Sequence, residues 1–243
     1  MCKPSYILVL VFFTLLQNAS AVPVEDFNLI RLLPHTGRGE GLDYNKSYLW
    51  EAEGDKKIIK KISPTTGRVV RTYSSPTLYP ESIMWMESDK FLHIDFKRTD
   101  VVIGQIGSNG VVRLELLGHL KTLGFGLAKK TATSFWVSGY FSSEIYLYSY
   151  PGLRLLRTIT TPLRGVEDLA WDGKHLWASD YYDLNKKLVY RLDPDDGDVV
   201  GTYKLPGSRT CERVDGIALR NDEIFVTGKN CGLYVVEKPE LLY

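Results

Sequence analysis

The sequence predicts an all-β protein, a five-bladed β-propeller, and three observations carry that prediction. First, a short phrase occurs five times: Glu40-Gly41-Leu42, Glu81-Ser82-Ile83, Phe125-Gly126-Leu127, Glu167-Asp168-Leu169 and Asp215-Gly216-Ile217. The steps between copies are 41, 44, 42 and 48 residues, the period of a propeller blade of four short strands. Second, each phrase is followed by an apolar, aromatic-rich run: Leu49-Trp50, Phe91-Leu92, Phe135-Trp136, Leu176-Trp177 and Ile224-Phe225. Third, the fifth copy nearly ends after three strands, while residues 27–34 read like the outer strands of the other copies. Pairing 27–34 with 233–236 would close the ring and remove an exposed edge.

The fourth repeat sets out one blade in order. Glu167 to Trp171 is an inner strand, and Asp172-Gly173-Lys174 is a tight turn. His175 to Ser179 is the second strand and Lys187 to Leu192 the third. Asp193-Pro194-Asp195-Asp196-Gly197 is another turn, and Asp198 to Leu205 the outer strand. Ser63-Pro64-Thr65-Thr66-Gly67 repeats that turn in the first blade. Trp50, Trp136, Trp171 and Trp177 are expected to pack between blades.

Residues 1–21 read as a signal peptide. Lys3 supplies a positive start, Tyr6 to Leu16 an apolar stretch, and Ala19-Ser20-Ala21 a small-residue cleavage pattern. Residues 22–243 are then a single secreted propeller domain, extracellular and without a membrane anchor. Removing Lys3 leaves 29 basic against 29 acidic side chains. A near-neutral chain gives no electrostatic reason to bind nucleic acid, and a monomer is expected. Cys2 leaves with the leader, so Cys211 and Cys231 remain as an even pair expected to form a disulfide. Asn45-Lys46-Ser47 is the one sequon of the mature chain and lies in a hairpin where a glycan would be solvated.

Inner strands of a propeller run side by side along the central channel, so equivalent residues form a ring. Glu40, Glu81, Phe125, Glu167 and Asp215 occupy one such ring. Loops at the same face add Tyr79, Tyr181, Tyr182, Asp180, Asp168 and Lys229. Carboxylates this close cannot all remain ionised without compensation. A bound cation, a protonated member or Lys229 would relieve them. Other patterns carry less. Asp193, Asp195 and Asp198 lack the bidentate glutamate of a calcium loop. The four histidines have no metal-ligand spacing. Gly124-Phe125-Gly126 precedes no helix, so it is no dinucleotide loop.

On these phrases the chain resembles the plant- and bacterial-type glutaminyl-peptide cyclotransferases, five-bladed propellers that close N-terminal glutamine into pyroglutamate. The resemblance is remote and covers essentially residues 22–243. The family phrase Phe-Thr-Gln-Gly-Leu is matched by Arg38-Gly39-Glu40-Gly41-Leu42. Phe-Gly-Glu-Gly-Ile is matched by Tyr79-Pro80-Glu81-Ser82-Ile83, and Gly-Trp-Gly-Leu by Gly124-Phe125-Gly126-Leu127. Asn-Glu-Leu is matched by Glu167-Asp168-Leu169. Asn-Gly-Ile-Ala and Thr-Gly-Lys are matched by Asp215-Gly216-Ile217-Ala218 and Thr227-Gly228-Lys229.

The resemblance implies catalysis by Glu81 and Lys229. Glu81 would relay the proton from the substrate's α-amine to departing ammonia. Lys229 and Tyr181 would orient the amide, and Phe125 would wall the pocket. Glu40, Glu167, Asp215 and Tyr79 complete the substrate-binding set, with no metal or other cofactor required. Glu40, Glu167 and Asp215 depart from the family's Gln, Asn and Asn. The partner is a peptide or small molecule at the channel mouth. Two other functions fit the same ring. One is a non-catalytic extracellular or matrix-binding propeller. The other is a divalent-metal hydrolase or lactonase with Glu40, Glu81, Glu167 and Asp215 around the ion.

Overall fold

The computed structural model describes residues 22–35, 38–87, 90–207 and 211–240. The expected signal segment, residues 1–21, lies outside the described residues.

Among the described residues, twenty-one strands form five sheets arranged as a ring, antiparallel but for one parallel edge strand. Blade 1 contains Gly41–Tyr44, Leu49–Glu53, Ile58–Ile62 and Val69–Ser74, from the channel outwards. Blade 2 contains Pro80–Glu87, Lys90–Asp95, Asp100–Ile106 and Val112–His119. Blade 3 contains Gly124–Thr131, Ser134–Gly139, Glu144–Ser149 and Leu155–Thr160. Blade 4 contains Val166–Trp171, Leu176–Asp180, Leu188–Leu192 and Val199–Lys204. Blade 5 contains Arg213–Arg220, Glu223–Lys229 and Leu233–Glu237, and its fourth strand is Leu29–Leu33.

The closure predicted from the sequence is therefore present, with a narrower register than expected. Leu29 pairs with Val236 and Leu33 with Leu233. The residues just before are used differently: Val24–Asp26 lies parallel along the outer strand of blade 4, pairing with residues 202–204. The Phe27 amide continues that ladder to the Lys204 carbonyl at 3.0 Å. One N-terminal segment thus covers the edge of blade 4 and completes blade 5. The pattern hid this because a three-residue edge strand carries no alternation of its own.

One hydrophobic cluster fills each of the five seams between blades. Trp50 meets Trp85 across the seam of blades 1 and 2, with ring centroids 4.5 Å apart. Trp136 meets Trp171 between blades 3 and 4 at 6.5 Å. Trp177 is buried with Phe27, Val214 and Ile217 between blades 4 and 5. Burying each such side chain stabilises the ring by roughly 2–3 kcal/mol. Cys211 and Cys231 are joined as expected, tying the start of blade 5's inner strand to the end of its second strand.

The centre is packed as closely as the seams. The second residue of the repeated phrase is Gly41, Ser82, Gly126, Asp168 and Gly216. A Cβ on Gly41 would come within 2.7 Å of the Ser82 backbone, and one on Gly126 within 2.6 Å of the Asp168 backbone. Small residues let the inner strands converge, and the one larger side chain, Asp168, fills the space they leave. Its Oδ2 accepts from the Leu42 amide of blade 1 at 3.2 Å and the Ile217 amide of blade 5 at 2.9 Å. A side chain placed by sequence at the mouth is instead a buried strut between three blades.

Candidate active site at the upper mouth of the channel

The ring read from the sequence assembles at the end of the channel where the inner strands begin. Glu40 (3% exposed), Glu81 (4%) and Glu167 (3%) are buried, and each offers a carboxylate oxygen within 4.8 Å of the others. Asp215 is fully buried beside them. The convergence follows from strand geometry: each residue opens an inner strand, and the five inner strands share one direction.

Two arginines enter this group, and sequence reasoning missed both as site residues. Arg213, buried, binds Glu167 with Nη2–Oε1 of 2.9 Å and pairs through Nε with Asp215. Its Nη2 is 3.8 Å from Glu40. Arg38 reaches Glu40 at 3.2 Å and Asp215 at 3.9 Å. The Tyr79 hydroxyl donates to Glu40 at 2.7 Å. One signal was available: Arg213 is two residues before Asp215 on one strand, so both side chains share a face.

Lys229 follows the second strand of blade 5 as expected, but its ammonium does not reach the ring. It is 2.6 Å from the Glu212 carboxylate, with 48% of its side chain exposed. The compensation foreseen from Lys229 comes from the two guanidinium groups. In the register Lys229 stands opposite Arg213. Arg213 occupies the buried position and the lysine turns to the rim.

Charge balance sets the protonation. Four carboxyls face two guanidinium groups, so full ionisation would leave two uncompensated negative charges in a desolvated site. Burial, then the neighbouring Asp215 carboxylate, pushes Glu40 up to about 7 despite Arg38. Burial and the Glu40 and Asp215 charges lift Glu81 well above the usual carboxylate range. Burial and Asp215 do the same for Glu167, against the opposing pull of Arg213. Glu81 alone of the four forms no ion pair with either arginine. It is the member best placed to hold a proton.

Above the acids is a cavity of about 230 Å³. Glu40, Glu81, Glu167, Tyr79 and Arg38 give it a polar floor and side. Phe96, Phe125, Tyr140, Phe141 and Tyr181 form an aromatic wall, and Lys97 stands on the rim. Phe125 is the centre of the wall, stacked between Phe96 at 5.6 Å and Tyr181 at 6.2 Å. Arg213 lies 4.1 Å over the other aromatic partner, Tyr181, and so links wall and acids. The volume is below the ~300–1,000 Å³ of drug-sized pockets and suits one amino-acid residue.

The loops around the cavity are held by two equivalent aspartates. The Asp95 carboxylate accepts from the amides of Leu78, Tyr79 and Lys97 at 3.0, 3.2 and 3.1 Å. Asp180 accepts from Arg164 and Tyr182, both at 2.9 Å. Asp180 is thus spent on backbone and is not a free acid of the mouth. No histidine joins the ring among the described residues: His35 meets Glu51, His93 Thr77, His119 Asp100 and His175 Asp172.

A larger hollow, about 690 Å³, lies at the opposite face against the Asn45-Lys46-Ser47 hairpin, and it gathers none of the ring residues. Asn45 Oδ1 accepts from the amides of Ser47 and Tyr48 there.

No protein-family model matches the chain, and no curated protein does. Solved structures do match. The crystal structure of Myxococcus xanthus glutaminyl cyclase superposes with a TM-score of 0.69 at 17% identity, covering 88% of this chain and 97% of that one. The WD40 β-propeller domain of Doa1 gives a TM-score of 0.54 at 15% identity, covering 86% of this chain and 67% of that one. The fold is a glutaminyl-cyclase-like five-bladed β-propeller. At these identities the likeness is one of fold.

Proposed function

We propose that the protein is a secreted glutaminyl-peptide cyclotransferase, converting the N-terminal glutamine of peptides to pyroglutamate. The observation that carries this reading is Glu81: a buried carboxyl on the cavity floor, in no ion pair with either arginine, which burial and the Glu40 and Asp215 charges hold well above the usual carboxylate range. The α-amine nitrogen of the substrate attacks its own side-chain amide carbon. Glu81, holding a proton, gives it to the departing amide nitrogen through one oxygen and takes the proton the attacking nitrogen gives up through the other. The carbon–nitrogen bond breaks and ammonia leaves. Atoms balance without water or an oxidant.

The departures from the family's amides are chemically milder than their letters suggest. A protonated carboxyl offers one O–H donor and one carbonyl acceptor, as an amide offers N–H and C=O. Glu40, raised to about 7, and Glu167, which burial holds well above the ordinary carboxylate range, can each donate to a substrate carbonyl in that form. The aromatic wall holds the glutamine's methylenes, and the raised acids keep the floor from trapping a charged ammonium. Lys229 enters this mechanism only if its side chain leaves Glu212.

The test is mass spectrometry of a Gln-initiated peptide incubated with the protein, read as loss of one ammonia. Glu81→Gln should lower the rate by about 10²- to 10⁴-fold. Failure of the native protein to turn over such peptides would reject the reaction. It would leave the second reading, a propeller that holds a peptide N-terminus without chemistry. That reading is favoured by the ion pairs that engage Glu40, Glu167 and Asp215 with Arg38 and Arg213. A divalent ion at Glu40, Glu81 and Glu167 would have to share the ring with both arginines. Millimolar Ca²⁺ raising the melting temperature would support it.

Secretion fits the Cys211–Cys231 disulfide. Glycosylation at Asn45 fits its hairpin position, and Ser47 beside it is exposed.

A further inference from the structure

Phe141 has a backbone φ of +43°, in the left-handed region that bulky side chains avoid. Most other non-glycine residues with positive φ here are asparagine or lysine: Asn185, Asn221 and Asn230, and Lys46, Lys57 and Lys187. Leu153 is the other large apolar one, and its side chain packs into the seam of blades 2 and 3. Phe141 has no such refuge. It is 42% exposed, at the tip of the loop after blade 3's second strand. The loop needs a left-handed residue, and glycine or asparagine would serve it better. Strain of this kind persists where the side chain is needed in that place.

The ring stands over the rim of the cavity. It stacks on Tyr140 at 4.0 Å and meets Tyr181 at 4.8 Å and Phe125 at 5.7 Å. On its outer side is Tyr182, 5.8 Å away and 39% exposed. Tyr182 is itself fixed. Arg164 donates to its carbonyl at 3.1 Å and lies 5.0 Å from its ring. A Cβ on Gly165 would come within 3.0 Å of that ring. Two exposed aromatic rings therefore form a shelf continuous with the rest of the aromatic wall.

We infer that Phe141 and Tyr182 are a second subsite, which takes the side chain of the residue following the peptide's N-terminal residue and selects for apolar and aromatic side chains there. This rests on the reading of the cavity as the seat of a peptide N-terminus. The cavity has room for one residue, about 230 Å³, so the next residue must leave over the rim. The shelf presents ring faces, with the Arg164 guanidinium 5.0 Å from the Tyr182 ring. An aromatic or branched side chain buries area on it, and a glycine gains nothing.

The experiment uses the full mature protein with its disulfide intact and two probes, Gln-Phe-Ala amide and Gln-Gly-Ala amide. Binding is measured by calorimetry on the Glu81→Gln form, where turnover is slow, and cyclisation by mass spectrometry on the unaltered protein. The expected preference for phenylalanine is about tenfold. Phe141→Gly should reduce that ratio towards one, while the melting temperature holds or rises because glycine suits the turn. A ring that served only packing would give the opposite pattern, a lower melting temperature with the ratio kept. Absence of a preference in the unaltered protein, or a preference that survives Phe141→Gly, overturns the subsite. If the probes bind with the preference and are never cyclised, the subsite stands and the cyclase reading falls. If neither probe binds, both fall.

Discussion

The two ends of the channel are built from the same strands and have opposite character. At the upper end the first residues of the inner strands bring together Glu40, Glu81, Glu167 and Asp215 with two arginines. At the lower end, two to four residues further along, those strands contribute Trp85, Leu127, Ala128, Leu169, Ala170, Trp171 and Leu219, with Asp43 as the one acid and Tyr44 and Lys129 beside it. Asp43 accepts from the Trp85 amide at 2.7 Å, and burial pushes it up to about 6. Between the ends, buried Asp168 ties blade 4 to blades 1 and 5. The fold therefore supplies two mouths, and the side chains decide that one gathers four carboxyls against two guanidinium groups while the other is lined mainly by apolar side chains. A strand register that sets equivalent residues at equal height makes this division possible, and the repeat does the rest.

The largest expected contrast is catalytic. Glu81→Gln should cost about 10²- to 10⁴-fold in cyclisation, whereas Asp43→Asn at the lower mouth should leave it unchanged. Equal losses from both would mean the channel acts as one unit. The next effect is on stability: replacing Cys211 and Cys231 by serine should cost roughly 3 kcal/mol for a 20-residue separation, seen as an earlier denaturation midpoint. Because the bridge anchors the strand that carries Arg213 and Asp215, activity should fall before global unfolding.

A smaller loss is expected at the strut. Asp168→Leu leaves the Leu42 and Ile217 amides without an acceptor, a cost of about 2 kcal/mol, while Asp168→Asn keeps an acceptor and should cost less. Equal destabilisation by the two variants would assign Asp168 to packing alone.

The smallest effect is a pH dependence. Glu40 holds its proton more tightly in the fold, up to about 7 against an ordinary 4.5. Its contribution to stability is complete below about 4.5 and is lost as pH rises through about 7. The melting temperature should decline across that window, and Glu40→Gln should flatten the decline. A slope that persists in the variant would place the proton on another carboxyl of the ring.

Much of this was legible in the chain. Repetition exposed the blades, and the missing strand of the fifth copy exposed the closure. The position of Glu40, Glu81, Phe125, Glu167 and Asp215 followed from their place in the phrase. The failures have a common cause: each depends on where a side chain turns after its backbone is fixed. Arg213 had no part in the sequence reading, and the acids around it make its burial tolerable. Lys229 has the right address but is drawn away by Glu212. Asp168 sits one residue along from the ring, which in a strand means the other face. Phe141 carries no turn signal, because phenylalanine is a residue that left-handed positions ordinarily reject.

The N-terminal segment has a consequence for how the ring is made. Asn28 donates to Glu237 at 3.0 Å across a separation of 209 residues. During synthesis the first-made strand must wait, unpaired, until the last blade has emerged. Blade 5 cannot form its complete sheet before then, and the seams on either side of it are late to consolidate. Ring closure is therefore a late event dominated by one very non-local pairing, the kind that slows folding. Cutting the chain after residue 35 and grafting residues 22–35 behind residue 240 would make blade 5 a contiguous hairpin series. Such a permutant should reach the same native state faster, with its outer edge guarded from the moment it is made.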